Sequence, residues 1–163
     1  MDHLWTPWRY QYISQAGNAE ECIFCAAAAD ADDEARLVVH RARHCYIILN
    51  RYPYTSGHVM VVPRAHVATL EALPDEAAVE MMRLAQHTER VLREVYRPEG
   101  LNLGINIGKC AGAGVAGHLH LHVLPRWTGD ANFMTTTAET RVVPEDLAVT
   151  WKKLHTAFQN AIA

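Results

Sequence analysis

Short apolar runs and two long periodic stretches organise this chain. From Leu37 onward, LVVH, CYIILN and GHVMVVP are β-branched and aromatic runs that predict three strands, the last ended by Pro63. RYPYTSG, between the second and third, carries the Pro, Ser and Gly of a turn. Pro74, Asp75 and Glu76 suit a first helical turn, and Ala78, Met82, Ala85, Leu92, Val95 and Tyr96 predict the buried face of a long helix that Pro98 and Gly100 stop. LNLGINIG then alternates as a strand, GKCAGAGVAG is a loop of small residues, and HLHLHVLP predicts another strand, ended by Pro125. A last helix is expected from about Pro144, with Leu147, Trp151, Leu154, Phe158 and Ile162 on one stripe. Strands, helix, strands, helix is the order of an α+β domain with a mainly antiparallel sheet. With no repeat and no dividing linker, residues 1–163 read as a single domain. It comprises an N-terminal arm (1–34), whose CAAAADADDEA drifts into an acidic loop, a core (35–126), and a C-terminal tail and helix (127–163).

Composition narrows the function classes. A chain of 163 residues with 50% hydrophobic and 20% charged positions can bury a core, which excludes collagen-like, mucin-like and wholly disordered readings. A net charge of −3 gives no basic field for a phosphate backbone, so nucleic acid is not an expected partner. No apolar run reaches the roughly 20 residues of a membrane span, and MDHLWTPWRY lacks the basic-then-apolar order of a secretory signal. The expectation is a soluble cytoplasmic protein with no membrane partner.

Ten histidines against four cysteines point to the chemistry. His118, His120 and His122 alternate with Leu119, Leu121 and Val123, so on a strand the imidazoles share one surface while the apolar three enter the core. The outer two would stand about 13 Å apart, too far to share one ion; two neighbours could share one while the third does something else. Beside them, Gly112, Gly114 and Gly117 match G-x-G-x-x-G, but a strand follows where a dinucleotide fold needs a helix. Lys109 is succeeded by Cys110, which rules out a Walker A loop. A Gly/Ala loop can still bring backbone N–H groups close to phosphate, or can simply be a tight connection. Cys22 and Cys25 form a C-x-x-C, read as metal-binding or redox; no βαβ unit supports a thioredoxin-like site, and zinc would need two more ligands. Cys45 and Cys110 read as a buried small hydrophobe and a loop residue.

GHLHLHVLPRW, LNRYPYTSGHVMVVPRAH and GLNLGINIG together resemble the histidine-triad (HIT) superfamily of nucleotide hydrolases and transferases. LWTPWRY, NRYPY and PRWTGDANF are most similar to bacterial diadenosine tetraphosphate phosphorylases. The resemblance implies an antiparallel sheet of about five strands with two principal helices, joined to a second sheet in a homodimer, to whose site Trp127 and the WTGDANFM tail could contribute. It implies His120 as nucleophile, forming a nucleotidyl-histidine on a dinucleoside polyphosphate, with His122 on phosphate oxygens and His118 orienting neighbours. It places His58 beside the triad and Asn50 on ribose, offers Asn106 more weakly, and sets the backbone of Gly112, Ala113, Gly114 and Val115 against phosphate. It also implies a structural zinc on Cys22, Cys25, His66 and His118, and no organic cofactor. Many hydrolases of the superfamily carry Gln and Ser/Thr where this chain has Ala113 to Val115, which leaves phosphorylase, hydrolase and phosphoramidase as alternatives. A nucleotide-binding protein with little catalysis and a mononuclear metalloenzyme using two strand histidines are the readings from other classes.

Overall fold

The computed structural model describes residues 21–130 and 145–161; the LWTPWRY opening, positions 131–144 with Pro144, and Ile162 lie outside the described residues. Five strands form one sheet: β1 (Val38–Arg41), β2 (Cys45–Leu49), β3 (Val59–Pro63), β4 (Gly100–Ile105) and β5 (Leu121–Arg126). Every pairing is antiparallel, in the order β1-β2-β3-β5-β4. The histidine-bearing strand is therefore internal, with Met60 and Gly104 opposite His122 on its two sides. The three early strands, the strand after the long helix and the α+β class stand where the apolar runs predict them.

Two helices, α3 (Asp75–Tyr96) and α4 (Leu147–Asn160), cover one face of the sheet. Val39, Ile47, Leu49, Val61, Leu121 and Val123 point into that core with Met81, Leu84, Leu92, Leu154 and Phe158. Trp151 joins it and donates its indole N–H to the Val38 carbonyl at 2.8 Å, so the polar end of a large ring is satisfied where it is buried. The buried stripe of α3 differs from the expected one. It runs through Ala77, Met81, Leu84, Ala85, Thr88, Val91 and Leu92, while Met82 is 59% exposed and Ala78 faces solvent. Two adjacent methionines fit either face of a helix, and the 3–4 spacing from Ala77 selects Met81.

The opposite face carries a smaller cluster: Val38, Tyr46, Ile48, Met60 and Val62, covered by Phe24 and Ala27. Those last two belong to α1 (Ile23–Ala29), which is followed by α2 (Asp33–Arg36); the segment expected as an acidic loop is thus two short helices. Alanine has the best intrinsic helix propensity. Arg41 completes the arrangement by donating to the Ala27, Ala28 and Asp30 carbonyls, which satisfies acceptors that a helix C-terminus leaves open. Asp32 caps α2 by accepting from the Ala35 N–H at 3.0 Å.

Candidate active site and metal centre

The triad straddles the start of β5. Only His122 lies in the strand; His118 and His120 precede it, and Pro125 sits inside it. The backbone explains the late start: the His118 N–H donates to Val115 O and the Leu119 N–H to Val67 O, so these amides pair with loops before the ladder with β3 begins at Leu121. Alternation nevertheless holds, with Leu119, Leu121 and Val123 in the helix-side core and the imidazoles on the other face. That face is not open surface. His118, His120 and His122 are 0%, 4% and 9% exposed.

Each ring has a different set of partners. His118 Nε2–H donates to Pro63 O at 2.8 Å, which leaves Nδ1 toward the Cys22 and Cys25 sulfurs at 3.3 and 3.6 Å. Both of its nitrogens are committed. His120 uses Nδ1–H to donate to His118 O at 2.8 Å, which fixes its tautomer and leaves the lone pair on Nε2. The Tyr54 backbone N–H donates to His58 Nδ1 at 3.2 Å, so the neutral His58 ring carries its proton on Nε2 and passes that hydrogen bond to His122 Nδ1 at 3.0 Å. His122 in turn is left with an N–H at Nε2, a donor. The row thus presents a nucleophilic nitrogen at His120 beside a donor at His122, whose ring centroids lie 4.8 Å apart.

Electrostatics keep these rings neutral. Burial holds His120 below the ordinary imidazole range. Burial and the neighbouring His120 push His122 down to about 4, and burial with His122 and His120 alongside takes His58 to about 3. Neutral imidazole is the form that can attack phosphorus.

The turn before β3 places His58. Gly57 has φ +79°, and a Cβ there would stand 2.9 Å from the Tyr96 ring, so position 57 requires glycine on both conformational and steric grounds. Thr55 anchors the same turn through Pro125 O at 3.0 Å. Asn50 lies within 3.4 Å of His58 through Nδ2, while its Oδ1 accepts from the Tyr52 N–H and braces the turn. Asn106 lies just past the end of β4. In the small-residue loop, a 3₁₀ turn at Lys109–Ala111 uses positive φ at Gly108 and Gly112. The Gly112 and Ala113 N–H groups close that turn onto Lys109 O and Gly108 O. Those of Gly114 and Val115, like those of Ala116 and Gly117, make no backbone hydrogen bond among the described residues.

Cys22, Cys25, His66 and His118 converge, their ligating atoms all within 4.8 Å of one another. Cys25 Sγ also lies 3.2 Å from His66 Nδ1. A tetrahedron with Zn–S of about 2.3 Å and Zn–N of about 2.0–2.1 Å has S···N edges of about 3.6 Å, so these contacts fit the edges of a Cys₂His₂ site. The Pro63 carbonyl on His118 Nε2 is the outer hydrogen bond that orients such a ligand. No two triad histidines share this site, which is built around His118 alone. Cys45 is fully buried and Cys110 is exposed in the loop, as their contexts imply.

A family model described as the HIT domain matches residues 32–129. The chain belongs to the HIT family. Across 96% of this chain and 84% of the relative, it is 42% identical to an AP-4-A phosphorylase of Mycobacterium tuberculosis. Its fold matches a Zn-bound histidine triad family protein from Mycobacterium smegmatis with a TM-score of 0.68 at 31% identity, covering 86% of this chain and 94% of that one. A hypothetical histidine triad nucleotide-binding protein from Sulfolobus tokodaii matches with a TM-score of 0.67 at 25% identity, over 85% and 93% of the two chains.

Two residues of this HIT site are not among the sequence-based candidates. Phe24, 3% exposed, packs its ring on His118 and His120; its signal is an aromatic residue inside the C-x-x-C. Tyr54, 46% exposed, lies with its ring centroid 4.9 Å from that of His58 and stacks toward His122; it stands in the NRYPY turn.

Proposed function

We propose that this HIT protein is a nucleotidyl-transfer enzyme acting on dinucleoside polyphosphates such as diadenosine tetraphosphate, with inorganic phosphate as the acceptor. The observation that carries the reading is the hydrogen bond from His120 Nδ1 to the His118 carbonyl, which leaves the neutral ring's lone pair at Nε2. In the first step Nε2 attacks the α-phosphorus, a P–N bond forms, and the bond to the leaving nucleoside polyphosphate oxygen breaks. His122 Nε2–H, set by His58, donates to phosphate oxygens, and the Gly114 and Val115 amides stabilise charge there. In the second step a phosphate oxygen attacks the same phosphorus and the P–N bond breaks, restoring the His120 lone pair. Asn50, whose amide nitrogen lies beside His58, binds the ribose hydroxyls.

The similarity to an AP-4-A phosphorylase over most of both chains supports phosphate as acceptor. So does the loop, where Ala113, Gly114 and Val115 supply no side-chain amide or hydroxyl. Zinc on Cys22, Cys25, His66 and His118 is structural in this reading: a closed four-ligand set crosslinks α1 to the segment leading into β5 and makes or breaks no bond in the transfer. The protein acts as one HIT domain in the cytoplasm, as a homodimer. β4 supports the dimer, since among the described residues it is an edge strand with one side unpaired, and Leu103 on it is 47% exposed. No described helix is long and apolar enough to cross a membrane.

Incubation with diadenosine tetraphosphate, with and without phosphate, tests the reading by its products. ATP plus ADP appearing only with phosphate is the expected result. ATP plus AMP in its absence would replace phosphorolysis by hydrolysis, and no product from this substrate, other nucleoside polyphosphates or nucleoside phosphoramidates would remove the enzyme reading.

A further inference from the structure

Phe24 stands between the two cysteines of the metal clip, with its ring packed against that of His120. Cys22 is the N-cap of α1 and Cys25 lies in its first turn, so any group held by the two thiols fixes this helix. The Phe24 ring lies 5.0 Å from the His120 ring, tilted by 47°, and 5.4 Å from the His118 ring, edge-on. Its main chain is held as well, because the buried Tyr46 hydroxyl donates to the Phe24 carbonyl at 2.8 Å. Met60 and Val62 complete the apolar floor of the same cluster.

We propose that Phe24 is a positioning residue for His120, and that the Cys22–Cys25–His66–His118 clip acts on the nucleophile through it. The inference rests on His120 being the nucleophile. Two links run from the clip to that ring. One is the His118 carbonyl, which receives the His120 Nδ1 proton and belongs to a residue that also faces the thiols. The other is the Phe24 ring, which blocks the imidazole from swinging off that carbonyl. With one link lost, the ring keeps an acceptor but has room to leave it, and its two neutral tautomers mix. Attack through Nε2 then begins from a spread of orientations, and a misplacement of about 1 Å costs on the order of 100-fold in rate.

The test compares wild type, Phe24→Ala and Phe24→Leu, each purified with its metal, by turnover and by nitrogen-15 NMR of labelled histidine side chains. Wild type should show His120 as a single Nδ1–H tautomer. Phe24→Ala should show averaged His120 signals with the His58 and His122 signals unchanged, a kcat lower by about 10- to 100-fold, and a KM within about twofold. Phe24→Leu, which keeps the apolar volume without the flat ring, should fall between the two. Wild type stripped by a chelator should show the same averaging at His120 as Phe24→Ala, a readout that needs neither turnover nor a variant that folds. A His120 tautomer that stays fixed in Phe24→Ala or in the stripped protein would overturn the proposal. Because the tautomer is read without substrate, that result is distinct from failure of the nucleotidyl-transfer reading, which would show as wild type inactive on every nucleotide.

Discussion

The two faces of the sheet are built on different principles. On the helix side, α3 and α4 bury a continuous apolar cluster that reaches from Val39 to Phe158. On the imidazole side, a seven-residue cluster of buried groups includes Phe24 and Ala27 from one seven-residue helix, α1, and beside it lie four histidines whose partners are thiols, carbonyls, a backbone amide and one another. A helix this short has little stability of its own. The difference teaches where each face draws its order. Burial holds the first, whereas the second depends on directional contacts and on the Cys₂His₂ clip, which lets it keep four imidazoles in fixed tautomers.

Removing the clip should separate the faces most strongly. Cys22→Ser should lower metal content from one equivalent to under a tenth, measured by elemental analysis, and lower stability by several kcal/mol. Amide exchange should speed up in α1 while α3 and α4 keep their protection; equal loss of protection on both faces would erase the distinction. Cutting into the helix side should do the reverse. Leu154 is fully buried, and Leu154→Ala should cost about 2–5 kcal/mol in urea unfolding while kcat per folded molecule stays within about twofold.

Acid probes the imidazole face through His58 and His122. His58 and His122 are held near 3 and 4, so below about pH 6.5 the unfolded chain takes up protons that the folded one refuses until about pH 4. Their contribution is therefore complete above about pH 6.5 and falls as pH drops toward 4, by about 1.4 kcal/mol per unit for each ring. Urea melts of wild type and His58→Asn at pH 7 and pH 5 should show the variant losing less stability on acidification, with a difference of about 1–2 kcal/mol. Parallel losses would mean that His58 is not held neutral by its surroundings.

The same contrast explains what could be read from the chain before its structure. Strong periodicity marks the helix-side elements, so β1 to β4, α3 and α4 are visible as runs and stripes; in α3 the expected Ala85 and Leu92 are buried, while Ala77 and Met81 stand in place of the expected Ala78 and Met82. The imidazole side is less legible. AAAADADDEA has no apolar period to announce α1 and α2; Asp32 caps the start of α2 from within the run, but the open carbonyls at the end of α1 are satisfied by Arg41 on β1. Alternation put His118, His120 and His122 on one face correctly, yet nothing in it tells that the first two precede the strand or lie buried under Phe24. The C-x-x-C suggested a metal, while His66 and His118 followed from family resemblance. Their meeting with the cysteines depends on long-range packing, with 96 positions separating Cys22 from His118. Tautomers are a property of hydrogen bonds such as Tyr54 N–H to His58, which no residue pattern displays.

The central claim is that His120 Nε2 becomes bonded to phosphorus during turnover. Wild type mixed with diadenosine tetraphosphate in the absence of phosphate, stopped in alkali to preserve the acid-labile P–N bond and digested for mass spectrometry, tests it directly. An adenylyl group on His120 that disappears when phosphate is added, and that never forms in His120→Ala, is the predicted result. Product formed with no adduct at any stage, or an adduct on His122 or His58 instead, would contradict the account.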